Sequence, residues 1–220
     1  DNSGQASNYS IASASSNITQ RPLNLSGSRA YDSTRTASGS DLSFTNIVSG
    51  ETLGLTGSGV LDSPAAGSRT IVNTNTLAIS DGSGIATNYT LTNGTLTMTI
   101  VPRSTTVSGT KTYDGTTNVA SSNLTSFSNL AGSDTLSLSG TGTISSADVG
   151  TGKTVNTSGL TIDNSSGVGS NYTLSAATVN VTERVIGLSG VRAFDGTNNA
   201  SSADLSISNL VSGENLTLSG

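Results

Sequence analysis

Apolar and hydroxyl side chains alternate along short runs of this chain, and Gly, Asn and Ser interrupt the runs. Leu136-Ser137-Leu138-Ser139 sets leucines on one face of an extended strand and hydroxyls on the other. Thr95-Leu96-Thr97-Met98-Thr99-Ile100 does the same, with threonines suited to the exposed face of a sheet. Over the best-defined stretch the pattern predicts strands at Leu96–Val101, Thr105–Tyr113, Thr135–Ser139, Thr141–Ile144, Lys153–Thr157, Leu160–Ile162, Tyr172–Ser175 and Thr178–Thr182. No window of ten or more residues carries a helical apolar stripe.

The runs recur with a fixed period. Tyr31-Asp32-Ser33-Thr34 returns as Tyr113-Asp114-Gly115-Thr116 and as Phe194-Asp195-Gly196-Thr197, at spacings of 82 and 81 residues. Asn-Tyr-Ser/Thr falls at Asn8, Asn88 and Asn171, and Glu51, Asp134 and Glu214 head a third marker. All eight aromatic residues occupy three repeat columns: Tyr9, Tyr89 and Tyr172; Tyr31, Tyr113 and Phe194; Phe44 and Phe127. Eight of the nine basic residues also fall in columns, with Arg35 outside. Large rings tied to repeat positions read as anchors of small cores. Tyr9, Tyr31, Tyr89, Tyr113, Tyr172 and Phe194 are therefore the expected structural anchors, together with Asp32, Asp114 and Asp195.

The period divides the chain into residues 1–21 (the C-terminal part of a repeat), 22–102 and 103–184 (complete repeats) and 185–220 (the N-terminal part of another). Seven or eight short strands in each stretch of about eighty residues predict an all-β fold of tandem immunoglobulin-like sandwiches. A β-solenoid is the alternative, but its coils repeat every ~20–30 residues, and no such sub-period is present. The joints near Pro22, Pro102 and Arg184 follow strand-like runs directly, and proline stiffens two of them. An elongated rod is the expected result, gaining ~30 Å per repeat from strands of ~8–10 residues.

Composition narrows the chemistry. Only 10% of residues are charged and the net charge is −5, with no basic stripe for nucleic acid. There is no Cys and no His, so the best nucleophile and the commonest general base are both missing. The acidic residues recur once per repeat in turn-like contexts, which is unlike a catalytic pair. The expectation is no enzyme, no cofactor and no metal site. No apolar run reaches the ~20 residues that a membrane span needs, so no membrane insertion is expected in this segment.

Tyr113-Asp114-Gly115-Thr116-Thr117 reads as a tight turn in which Asp bonds its own backbone, Gly supplies positive φ and Tyr packs below. Ser33 replaces that glycine in the first copy, which implies that positive φ is not obligatory there. A metal loop is the competing reading, but calcium loops bring several oxygens close together and the Asp residues here are isolated. The Asn-x-Ser/Thr triplets match the glycosylation sequon, although in a chain this rich in those residues most matches arise by chance.

Tyr113-Asp114-Gly115-Thr116-Thr117-Asn118, Asp134 to Gly142, Val149 to Val155, Gly159 to Ile162 and Asn171 to Leu174, in that order, resemble the YDG-repeat family over essentially the whole chain. The resemblance implies arrays in large filamentous-haemagglutinin-like exoproteins, many exported by two-partner secretion. It further implies a secreted, cell-surface stalk in a bacterial adhesin or biofilm-matrix fibre, with no catalytic residues to carry over. Partners on this reading are neighbouring repeats of the same chain, with matrix polysaccharide binding or lateral self-assembly as the alternatives.

Overall fold

The computed structural model describes residues 3–219. β-branched and alternating side chains give strands throughout, and the helical elements among the described residues are three-residue 3-10 turns. Among the described residues no helix is long and apolar enough to cross a membrane.

The strands group into two units, one running up to Arg29 and over Thr34–Ile100, the other joining Ala30–Ser33 to the chain from Val101 onward. The first contains β1 (Arg21–Pro22), β2 (Leu25–Ala30), β3 (Thr36–Ser38), β4 (Leu42–Phe44) and β5 (Leu53–Thr56). It continues with β6 (Ser58–Leu61), β7 (Gly67–Asn73), β8 (Ala78–Asp81), β9 (Tyr89–Thr90) and β10 (Thr97–Val101). Its main sheet runs β3-β6-β7-β10-β2-β4, with β5 paired to β8 and β1 to β9. Leu23, Leu25, Leu61, Met98 and Ile100 are fully buried there.

The second unit begins with β11 (Arg103–Thr112), β12 (Asn118–Ala120), β13 (Leu124–Ser128) and β14 (Leu136–Thr143). β15 (Gly150–Thr154), β16 (Leu160–Asn164), β17 (Tyr172–Thr182), β18 (Gly187–Gly190) and β19 (Leu205–Ser208) follow. In its complete repeat one sheet runs β13-β11-β17-β15 and the other β12-β14-β16, while β18 pairs with β19 in a separate two-stranded sheet. Between them lies a core of Val107, Val119, Leu124, Val155, Val179 and Val181, against which Leu138 and Leu160 pack from the second sheet. Each such aliphatic side chain contributes roughly 1.5–3 kcal/mol by leaving water. Two sheets around one core make the complete repeat from β11 to β17 a β-sandwich, and no coil-on-coil stacking of a solenoid occurs in it.

β11 and β17 form the spine, parallel from Arg103↔Tyr172 to Thr112↔Thr182. Both alternate: Thr105, Val107 and Lys111 are buried from β11, and Ala177, Val179 and Val181 from β17. The first unit repeats the pairing scheme in shorter pieces, with β1–β9 parallel as Arg21↔Tyr89 and β5–β8 and β3–β6 antiparallel. One column is fixed by close approach: Gly27↔Leu42, Gly109↔Leu124 and Gly190↔Leu205 are register partners in all three copies. A Cβ on Gly27, Gly109 or Gly190 would lie 1.9, 1.7 or 1.8 Å from the carbonyl oxygen of Asp41, Asn123 or Asp204, so no other residue fits.

Two pairs of expected strands prove to be single strands. Thr135–Ser139 and Thr141–Ile144 merge in β14, because Gly140 takes φ +90° and carries the ladder through. Tyr172–Ser175 and Thr178–Thr182 merge in β17, where a bulge opposite Thr105/Thr106 absorbs the change of register.

Candidate functional site

The polar groups that recur with the repeat converge on one carboxylate. Asp134 closes a turn whose amide donates to the Ala131 carbonyl at 3.0 Å. The 3-10 turn Gly169–Asn171 delivers Tyr172 to the start of β17, with its ring buried. The Tyr172 hydroxyl donates to Asp134 Oδ2 at 2.6 Å and accepts the buried Ala131 amide at 3.0 Å. Tyr31, buried in the same unit, donates its hydroxyl to the same Oδ2 at 3.1 Å. The two rings meet edge to face, with centroids 5.4 Å apart at 77°. One carboxylate oxygen thus accepts from two phenols, and one phenol also satisfies a buried amide.

The other copies carry the parts that fall within them. Glu51 closes the matching turn by donating its amide to Val48, and its carboxylate accepts from the Tyr89 hydroxyl. Glu214 closes the third by donating to Val211, and its carboxylate accepts from the Tyr113 hydroxyl. The rule is consistent across the three acids. Each accepts from the Asn-Tyr tyrosine of its own repeat (Tyr89, Tyr172), from the Tyr-Asp tyrosine about a hundred residues earlier (Tyr31, Tyr113), or, at Asp134, from both.

An arginine braces each turn. Arg103 donates through Nε to the Asn129 carbonyl at 2.8 Å and through Nη2 to Asn129 Oδ1 at 2.7 Å, while its Nη1 donates to the Tyr31 carbonyl at 3.3 Å. Asn129 sits at φ +61° and donates to the Ser104 carbonyl. Arg184 holds Asn209 (φ +66°) identically, at 2.6 and 2.8 Å, and Arg21 holds the Asn46 carbonyl at 2.9 Å.

This environment fixes the protonation states. Burial first, and then the hydrogen bond to Asp134, push the Tyr172 phenol up to about 12. Tyr31 is raised for the same reasons in the same order. Tyr89 and Tyr113 are raised chiefly by their hydrogen bonds to Glu51 and Glu214. Phenols held so far from neutrality stay protonated and keep donating; chemically, the arrangement holds chain segments together.

The Tyr-Asp-Gly turn is a second recurrent constellation. Asp114 Oδ1 accepts from the Thr116 amide and hydroxyl, both at 2.9 Å, and from buried Lys111 Nζ at 2.8 Å. Lys111 also donates to the carbonyls of Thr116 (3.0 Å) and Asn118 (2.6 Å), so the ammonium is fully enclosed by oxygen. Its hydrogen bond to Asp114 holds that carboxyl below the usual range. Asp195 has the same partners in Thr197 and Arg192, the latter at 2.6 Å, and the bond from the Thr197 amide leads in lowering it. Among the described residues, no three acidic side chains come together in a way that could hold a metal ion.

The structure distributes the expected anchors unevenly. Tyr31, Tyr89 and Tyr172 are buried, Tyr113 and Asp32 are half-buried, and Tyr9 and Phe194 are exposed, so neither of those two anchors a core. Ser33 corrects the reading of its turn: it takes φ +67°, beside +75° at Gly115 and +81° at Gly196. The turn imposes the left-handed conformation on all three copies, and serine occupies it at a cost that glycine would avoid. Two partnerships went unread in the sequence. The acid column marked a turn, but nothing local shows that it accepts from two tyrosines, and the Asn46/Asn129/Asn209 column was available at the same period yet carries no distinctive local motif.

The comparisons agree with this modular picture. The model of the family described as the YDG domain matches residues 17–98 and again residues 95–180. No curated protein and no solved structure matches the chain. The two matches together cover well over half of the sequence, and this chain belongs to the YDG-domain family, of which it carries tandem copies.

Proposed function

We propose that these repeats are the structural stalk of a secreted bacterial adhesin or biofilm-matrix fibre, of the filamentous-haemagglutinin-like kind exported by two-partner secretion, which projects a binding tip from the cell surface. One observation carries the reading: the side chains that recur in register, the tyrosines, the acids and the basic columns, direct their hydrogen bonds to one another and to their own turns. A module that repeats in order to bind a ligand would present its recurrent polar groups outward. Here they clasp their own turns and chain segments 38 to 103 residues apart, which suits a spacer that must resist extension.

The test is electron microscopy of an array of several repeats in negative stain. A stalk gives elongated particles that lengthen by ~30 Å with each added repeat. Compact globules would overturn the reading, as would tight binding of matrix polysaccharide by a two-repeat fragment.

A further inference from the structure

Both complete repeats are open along the same side. In the second, β16 ends its sheet, and β15 pairs with β17 only over residues 178–181. Residues 172–174 therefore have β11 on one side and, among the described residues, no strand on the other. The first repeat opens in the same place. There β8 pairs with β5, and β7 meets β10 over residues 97–100 without reaching Tyr89.

Each opening is a groove, of about 500 Å³ in the second repeat and about 360 Å³ in the first. Matching residues line the two. Leu160, Ile162 and Leu174 are half-buried along one, and Leu77, Ile79 and Leu91 are half-buried along the other. Ser170 and Thr87 stand exposed at the rims. Every described residue around the two grooves is uncharged.

An apolar side chain projects beside each groove. Val168 is 48% exposed and Ile85 58%, and each directly precedes the 3-10 turn that borders its groove. Their backbones coincide, at φ −95°, ψ 117° for Val168 and φ −96°, ψ 117° for Ile85. The turns are locked in the same way. The Gly169 amide donates to Asn164 Oδ1 and the Ala86 amide to Asp81 Oδ1, both at 2.7 Å. A β-branched side chain on such a turn is a stiff knob that loses little freedom on docking. Scattered exposed apolar residues are ordinary, but here a knob and an apolar hole recur together in both repeats.

We propose that this turn and its groove form a self-association surface for a second copy of this chain, in which Val168 or Ile85 of each copy enters the groove of the other. Two features select a second copy as the occupant. The patch carries both a knob and a hole, so it is complementary to itself, as a two-fold interface requires. It is also uncharged, so two copies of a chain with net charge −5 meet there without local repulsion. One such contact is small beside the ~1,200–2,000 Å² of a stable interface, and is weak by itself. Repetition along an array multiplies it, so that stalks cohere where single repeats barely associate.

Sedimentation velocity of the full chain over a wide concentration range tests this. The expected result is concentration-dependent association that Ile85→Ser together with Val168→Ser weakens at least tenfold. Thr87→Arg together with Ser170→Arg, which charges both rims, should weaken it as strongly. Val72→Ser is the control: Val72 is 58% exposed on β7, outside the groove, and its loss should leave association unchanged. All five side chains are exposed, so the variants stay folded. A strictly monomeric chain would overturn the proposal, as would association that survives both double substitutions. Uptake of the apolar dye 1-anilinonaphthalene-8-sulfonate by a monomeric chain, abolished by the rim arginines, would assign the grooves to a small apolar ligand and overturn it too. Each of these failures leaves the stalk reading standing, since that reading rests on contacts inside the repeats.

Discussion

Replacing Tyr172 by Phe removes one oxygen and leaves the ring. The substitution deletes the 2.6 Å bond to Asp134 and strands the buried Ala131 amide, which has the Tyr172 hydroxyl as its acceptor. A hydrogen bond to a charged group contributes about 1.5–3 kcal/mol, and a buried donor left unpaired costs about 1–3 kcal/mol. The edge-to-face contact with Tyr31 survives, so the expected loss is about 3 kcal/mol rather than the full value for a deleted aromatic. Tyr31→Phe is the internal control. It loses a single 3.1 Å bond to an oxygen that retains its bond from Tyr172, and should cost about 1 kcal/mol. Urea unfolding at neutral pH gives both values, and tyrosine emission is a clean probe because the chain has no Trp. Amide exchange at Ala131 isolates the orphaned donor. A loss below about 0.5 kcal/mol for Tyr172→Phe, with Ala131 still protected, would refute the reasoning, as would equal effects from the two substitutions.

Three further outcomes follow from particular backbones and ionisations. Ser33→Gly should stabilise by about 0.5–1 kcal/mol in urea unfolding, because glycine relieves the left-handed strain at φ +67° while adding some unfolded-state entropy; destabilisation would contradict the strain. Gly109→Ala should cost about 3 kcal/mol or abolish folding, since its Cβ would meet a backbone oxygen at 1.7 Å, and a mild effect on the thermal midpoint would contradict that contact. The raised phenol of Tyr172 contributes stability that is complete below the unfolded tyrosine value of about 10 and disappears as pH rises through about 12. Ultraviolet titration of the folded protein should therefore show late-ionising phenols among its five tyrosines, and one common step near pH 10 would count against the buried pair.

Much of this fold was legible because its elements announce themselves locally. Alternation in Leu136 to Ser139 and in Thr97 to Ile100 places two core strands, and the period assigns rings and bases to columns. What escaped was set by distant backbone. β12 is three residues long and β13 meets β11 across a bulge, so neither leaves a long alternating run. β14 and β17 looked broken because small residues interrupt their apolar faces, but hydrogen bonding to neighbours carries both strands through. Ser33 looked like evidence against positive φ because a residue type argues only for what it favours; the closed turn around it decides. The Asp134 clasp joins residues 31, 134 and 172, and no local pattern encodes a meeting over such separations.

The central claim, that self-clasping repeats act as an extension-resistant spacer, is tested most directly by pulling a multi-repeat array in a single-molecule force experiment. Modules held by clasps should unfold one at a time, in evenly spaced steps approaching the contour length of about eighty residues, roughly 260–290 Å, and Tyr172→Phe in every repeat should lower the unfolding force without changing the spacing. Extension without discrete steps, or an unfolding force indifferent to loss of the Tyr172 hydroxyl, would contradict it.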